Sequence, residues 1–341
     1  MLELSRLKIM PKEQAGAQSH WQPTATLATL RLRAQLNALI RDHFARSSAL
    51  EVETPILSQA GNTDPNIASF SLQFSGPSAA GPRQRWLRTS PEFALKRLLA
   101  GGVGHCYELG RVFRDGEAGG RHNPEFSMLE WYRLGWDHRR LMDEVAELVT
   151  AALGLVGKSA RVERISYRQL FIDAVAVDPM TVTIGELRDC AASIHIDPMG
   201  VTRDDWLDLL LSHLIQPLFP QDQLLLLYDY PASQCALAKL RGVGVEAVAE
   251  RFEVFLGPLE LANGYHELTD AVEQRARFER DLEVRRTRGA PTPAMDERLL
   301  AALEAGLPAC AGVALGMDRL LAAMLGSTGI ESTIAFPFAC A

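Results

Sequence analysis

Residues 111 to 133 read RVFRDGEAGGRHNPEFSMLEWYR. Two strand-like segments, Cys106 to Arg114 and Phe126 to Arg133, flank a Gly-rich, charged loop from Asp115 to Pro124, a pattern that predicts an antiparallel hairpin with a long tip. The outgoing strand would deliver Arg114 and the tip Arg121 and His122. On the returning strand a period of two puts Phe126, Glu130 and Tyr132 on one face. Such a hairpin can clamp a nucleotide, with a guanidinium on phosphate oxygens, a basic loop over the outer phosphates and an aromatic ring on the base. The same composition would also suit a surface hairpin with solvated charges.

Two further clusters carry chemistry. In GVALGMDR (Gly312 to Arg319), glycines flanking a strand end allow close backbone approach to a ligand, and Arg319 at the start of the next helix can lie beside it. Alone, this is equally a core strand with a helix cap. In RFE (Arg251 to Glu253) followed by GPLELANGYHE (Gly257 to Glu267), Glu253 and Glu260 fall on adjacent strands and offer hard oxygens for a magnesium that bridges phosphates. Asn263 and Glu267 can point into the same cleft. Cross-strand surface charge is the plainer alternative, although glutamates gathered in an otherwise apolar strand pair argue against it.

These residues need a scaffold. Leu27, Leu30, Leu36, Leu39, Ile40 and Phe44 recur at helical spacing and predict a helix over Thr24 to Arg46, running into the strand-like LEVETP of Leu50 to Pro55. Ser90-Pro91-Glu92 reads as a cap, a proline in the first turn and an acid near the helix N-terminus, with Gly101-Gly102 as the stop. Asp137 caps a helix to about Leu153. Helical signals then dominate 164–219, which is taken as a helical insertion: Ser166 to Val175, Thr183 to Ser193 and Asp204 to Phe219. Strands resume at Leu224 to Asp229, Phe252 to Leu256 and Leu259 to Ala262. A polar helix over Leu268 to Thr287 follows, then a strand over Gly312 to Gly316 and a helix over Met317 to Leu325. Antiparallel strands gathered around helices without a βαβ rhythm mean α+β. Residues 1–23 lack periodicity and read as an arm, leaving 24–341 as one domain.

Composition narrows the function classes. With 35 Lys and Arg against 42 Asp and Glu, the 341-residue chain carries a formal charge of -7, which excludes a wholesale nucleic-acid coat. At 47% hydrophobic and 23% charged it has the composition of a globular protein rather than a disordered one. No apolar run reaches the roughly 18 to 20 residues of a bilayer span, and the first residues lack the order of a signal peptide, so a cytoplasmic location is expected. The five cysteines are scattered, odd in number and never in a C-x-x-C pair, which predicts reduced thiols.

Taken together, the segments resemble a known family. LEVETPILS is similar to motif 1 of the class II aminoacyl-tRNA synthetases, the 111–133 segment to motif 2 and GVALGMDR to motif 3. TSPEFALKRLLAGG and ELANGYHELTDA narrow the likeness to the lysyl branch. Within it the chain resembles the elongation factor P (R)-β-lysine ligases, truncated paralogues of lysyl-tRNA synthetase. Too few residues precede Thr24 for an anticodon-binding domain, which would need roughly 50. Pro231-Ala232-Ser233-Gln234 is similar to the ligase form of a pocket loop, and Ala314 stands where the synthetase motif 3 usually has Gly.

The resemblance implies a class II catalytic core with an antiparallel sheet flanked by helices. It also implies a reaction in which ATP and β-lysine form an acyl-adenylate that is passed to a lysine of elongation factor P. Arg114 and Arg319 would contact the α- and γ-phosphates, Phe126 would stack on adenine, and Arg121 and His122 would close over the outer phosphates. Glu253 and Glu260 would hold magnesium. Glu92 and Asn263 would address the carboxylate end or an amino group of the substrate, while Glu130, Tyr132 and Glu267 would grip its distal ammonium and Ala314 would shape the pocket wall. One departure stands out: Gly116 occupies the place where lysyl synthetases usually have an acid, and the acid expected to serve the nucleotide is Glu117 instead. The family also implies a homodimer built on motif 1, with tRNA an unexpected partner. Two alternatives stay open here. One is a truncated synthetase that charges tRNA; the other is a non-catalytic paralogue, which would be expected to lose the motif arginines or metal carboxylates that this chain retains.

Overall fold

The structure is a computed structural model describing residues 21–192 and 201–341. The expected N-terminal arm falls almost wholly outside the described residues, as does Ser193 at the end of one predicted helix. Helix α1 spans Leu27–Arg46. It starts later than periodicity predicted because the Thr26 hydroxyl accepts from the Thr29 amide and fixes the first turn there. Thr24 instead donates its amide to the Ala335 carbonyl, 2.9 Å away.

The chain then forms β1 (Leu50–Glu51), β2 (Leu57–Ser58), β3 (Ser71–Gln73), β4 (Gln84–Leu87) and α2 (Glu92–Ala100). The predicted hairpin follows as β5 (Cys106–Phe113) and β6 (Glu125–Leu134), and α3 covers His138–Gly154. Next come β7 (Arg161–Ser166) and the helices α4 (Tyr167–Val175), α5 (Ile184–Cys190) and α6 (Arg203–Leu210). The last third contributes β8 (Gln223–Pro231), β9 (Leu240–Arg241), β10 (Val248–Leu256), β11 (Leu259–His266), α7 (Ala271–Thr287), α8 (Glu297–Gly306), β12 (Cys310–Gly316) and α9 (Met317–Leu325).

Among the described residues the principal sheet has nine strands in the order β1-β5-β6-β12-β11-β10-β8-β7, with β9 paired beside β10. Its middle is antiparallel, but both ends close with a parallel pair, β1 with β5 and β7 with β8. A small antiparallel sheet, β2-β4-β3, stands apart. That sheet, β7 and α8 were not foreseen from the sequence.

Alternation along the strands separates two faces. Leu129, Trp131, Val313, Leu315, Phe252 and Val254 point to one side, where Leu36, Ile40 and Phe44 of α1, Leu141, Val145 and Leu148 of α3, and Leu320 and Leu321 of α9 cover them. Burying each such side chain contributes about 1.5–3 kcal/mol. A second cluster joins α4, α5 and α6 to β8 and β10, and a third packs α2, α7 and α8 around Cys106, Tyr132 and Cys310. The middle of the opposite face of the sheet is left to polar side chains.

Candidate active site

Directly paired residues on neighbouring strands point to the same face, so the register alone assembles the site. One row runs Glu108, Glu130, Ala314, Asn263, Glu253 across β5, β6, β12, β11 and β10. The row beside it runs Cys106, Tyr132, Gly312, Tyr265, Arg251. Above these rows lies a cleft of about 1070 Å³, its open mouth included. Of the residues given a site role from the sequence, all but Glu253 line this cleft; the Pro231–Gln234 stretch, expected as a pocket loop, does not.

One end of the cleft is anionic and deeply buried. Glu92, Glu130 and Glu267 converge there with Tyr132 and Asn263. Glu130 is held by the Ser90 hydroxyl at 2.6 Å and the Tyr132 hydroxyl at 2.9 Å. Burial, reinforced by the charge of Glu92, pushes its carboxyl up to about 8. Burial also raises Glu267 to about 8, against the pull of Lys96. Tyr132 is fully enclosed, and burial together with Glu130 keeps its phenol protonated.

Lys96 was missed in the sequence. It reaches Glu92 and Glu267, each at 2.6 Å, from one turn further along α2. Burial alone would lower its pKa, but the two carboxylates outweigh that and hold the ammonium well above its ordinary range. Its signal was legible: a lysine four residues after Glu92, sandwiched between Leu95 and Leu99 on a helix, has no solvent to reach. Glu267 is closely paired with Lys96, and among the described residues the buried Asn263 Oδ1 has no hydrogen-bond partner. A buried acceptor left open in this way calls for a donor.

The other end is cationic and open. Arg114 lies over the Phe126 ring, 5.2 Å from its centroid, and stands 3.6 Å from Glu117. Arg319 donates to the Glu260 carbonyl at 3.0 Å and to His122 Nε2 at 2.8 Å. Partial desolvation and the neighbouring Arg319 lower the pKa of His122, so its ring accepts that bond as the neutral form. Arg121, exposed at the rim, reaches the Pro258 carbonyl at 3.4 Å. Beneath them Asp318, also missed, is buried and accepts from the Ser127 amide at 2.8 Å and from Arg33 of α1, which fixes the start of α9 against β6.

Glu253 shares its row with Asn263 but not the cleft wall. It is buried and paired to Arg251 at 2.5 Å. Burial, opposed by Arg251 and reinforced by Glu260, raises its pKa. Glu260 faces the cleft from the neighbouring strand.

A family model described as tRNA synthetases class II (D, K and N) matches residues 20–339. Curated relatives named elongation factor P–(R)-β-lysine ligase include one from Vibrio parahaemolyticus, 45% identical over 94% of this chain and 99% of its own. Another from Vibrio cholerae is 46% identical over 94% of this chain and 98% of its own, and one from Proteus mirabilis is 46% identical over 93% and 97%. The chain therefore belongs to the class II tRNA synthetase family and, within it, to the elongation factor P–(R)-β-lysine ligases.

Proposed function

We propose that this chain activates (R)-β-lysine with ATP as an acyl-adenylate and transfers the β-lysyl group to a lysine side chain of elongation factor P. The observation that carries this reading is the charge imbalance at the buried end of the cleft. Three carboxylates, Glu92, Glu130 and Glu267, face one ammonium, Lys96. Fully ionised, they lack two positive charges, and a diamino acid brings two. Burying ionised carboxylates without such partners is costly, and burial accordingly raises both Glu130 and Glu267.

The opposite end fits the triphosphate. Arg114 is positioned by its contacts with Phe126 and Glu117, Arg319 by the Glu260 carbonyl and His122. The ring of Phe126 offers a surface for adenine. Between the two ends, the substrate carboxylate attacks the α-phosphorus and pyrophosphate leaves. This step needs alignment and charge neutralisation more than a base, and the arginines supply both. The acceptor amine then attacks the acyl carbon and releases AMP.

The donor set fits magnesium. Among the described residues no group of three or more Asp, Glu, His or Cys side chains converges as a metal cage. A magnesium that takes most of its ligands from phosphates and water needs only one or two carboxylates. Glu260 would be the ligand in the cleft, and Glu253 beside it would answer the added charge once its hold on Arg251 relaxes. When bound, the ion would neutralise charge on the phosphates. The expected setting is cytoplasmic; among the described residues no helix is long and apolar enough to cross a membrane.

The test is ATP–pyrophosphate exchange over a panel of amino acids, followed by transfer assays with elongation factor P and with tRNA. Exchange stimulated by β-lysine and label transferred to the protein are expected. Exchange with α-lysine alone and label on tRNA would overturn the reading.

A further inference from the structure

Arg121 and His122 sit at the tip of the long hairpin, both exposed. The loop's own closure is slight: Gly119 and His122 exchange two backbone hydrogen bonds of 3.0 and 3.2 Å. Further support comes from the Asp115 amide, which donates to the Ala68 carbonyl at 2.9 Å, from Arg319 of α9, which reaches the Arg121 carbonyl and His122, and from the segment after α9. The Ile330 amide donates to the Gly120 carbonyl at 3.0 Å, and the Phe338 amide donates to Asn123 Oδ1 at 2.9 Å. These attachments fall on either side of Arg121 and His122. Gly329 passes so near the loop that a Cβ there would stand 2.7 Å from the Gly120 oxygen, and Asn123, itself buried, hands the connection on to the Glu125 carbonyl at the start of β6 through a 2.6 Å bond.

The segment is itself anchored. Ile330 and Ile334 are buried against Ala322 of α9, and Pro337 is buried. Thr24 bonds the Ala335 carbonyl at 2.9 Å and the Ile334 carbonyl at 2.8 Å, and Arg33 of α1 holds the Thr333 carbonyl at 2.8 Å. The loop is thus attached at two points to a strap that is fixed to α1 and α9.

We propose that residues 329–338 are a positioning strap for the nucleotide loop, and that Asn123 and the Phe338 amide set where Arg121 and His122 meet the outer phosphates. The proposal rests on the reading that the cationic end of the cleft takes ATP. An unstrapped loop would have to be ordered by the nucleotide itself, so the cost falls on ATP binding rather than on the chemical step.

Two changes cut the same bond from opposite sides: Asn123→Ala, and a chain stopped after Pro337. Each is to be measured for ATP KM and kcat in pyrophosphate exchange, and for trypsin cleavage after Arg121 without nucleotide. Each is expected to raise ATP KM by about 3- to 10-fold, the worth of a hydrogen bond, with kcat within about two-fold, and to speed cleavage. Combined, they should do no more than Asn123→Ala alone, because the shared bond can be lost once. Unchanged cleavage and KM in the shortened chain, or fully additive effects in the double variant, would overturn the strap. If the unaltered protein supports no exchange with any amino acid, the functional reading fails first; if it exchanges normally and the variants match it, the strap alone fails.

Discussion

Three carboxylates around one lysine make the buried end of the cleft sensitive to pH in a definite direction. Glu130 and Glu267 sit at about 8 in the folded chain against an ordinary 4.5, so between those values the folded state holds protons that the unfolded state releases. Their contribution to stability is complete below about 4.5 and is lost as pH rises through 8. Melting temperature of the free protein is therefore expected to fall from pH 6 to 8.5, and Glu130→Gln, which stays neutral throughout, should flatten the slope. Over the same window the affinity for an amino acid with two ammonium groups should rise, because only the ionised carboxylates attract them; isothermal titration at several pH values checks this. A second expectation concerns Ala314, whose row neighbours are Glu130 and Asn263. Moving an amino group from the α to the β carbon shifts a cation by one bond, and a single methyl on the strand between those partners is placed to discriminate. Ala314→Gly should raise activity with α-lysine relative to β-lysine by about 10- to 200-fold, corresponding to roughly 1 to 3 kcal/mol. An unchanged ratio of kcat/KM values would reduce Ala314 to core packing.

At the level of elements, the parts with strong local signals were legible: the hairpin of β5 and β6, α2 with its Gly101 stop, Asp137 capping α3, and α9 over Met317–Leu325. What escaped had its cause in tertiary contacts. Strand β7 reads RVERIS, with Arg161 and Val162 exposed, and it is a strand because it lies parallel beside β8 at the sheet end rather than because its sequence demands it. The β2, β3 and β4 strands are two to four residues long, too short for any period to show. Within the site, residues on the hairpin and on β12 could be placed from alternation, whereas for Lys96 helical spacing pointed to burial beside Glu92 and only the fold brought Glu267 to it. Gly312 shows how the two kinds of knowledge join. Its type pointed to a close approach, and the structure identifies what approaches: a Cβ there would lie 2.2 Å from the Tyr132 ring and 2.6 Å from Glu267 Oε1. Tyr132 is enclosed and has nowhere to go. Gly312→Ala should cost about 1–3 kcal/mol of stability, read by denaturant unfolding, and should weaken amino-acid binding more than ATP binding.

On the scale of the whole molecule, the edge of the sheet at β1 is the unfinished part. Strand β1 is two residues long and, among the described residues, pairs on one side only, with β5. Around it Leu50, Ile56 and Leu57 are exposed, as is Leu72 of the small sheet. Single exposed leucines are ordinary, but several gathered where an edge strand, a long helix and a small sheet meet make a surface that gains from being covered. A second copy across a twofold axis covers it with the fewest new requirements, since each copy presents the same patch to the other. The chain is therefore expected to be a homodimer through this face. Within one chain α1 carries Arg33 to Asp318, the residue before Arg319, so a dimer built on α1 would be linked to the chemistry through that pair. Sedimentation velocity over a hundred-fold range of concentration should show a dimer that dissociates only on dilution. Leu57→Asp with Ile56→Asp should produce a monomer whose exchange activity falls with the loss of the dimer, and a wild-type chain that sediments as a monomer at every concentration would remove the face from consideration.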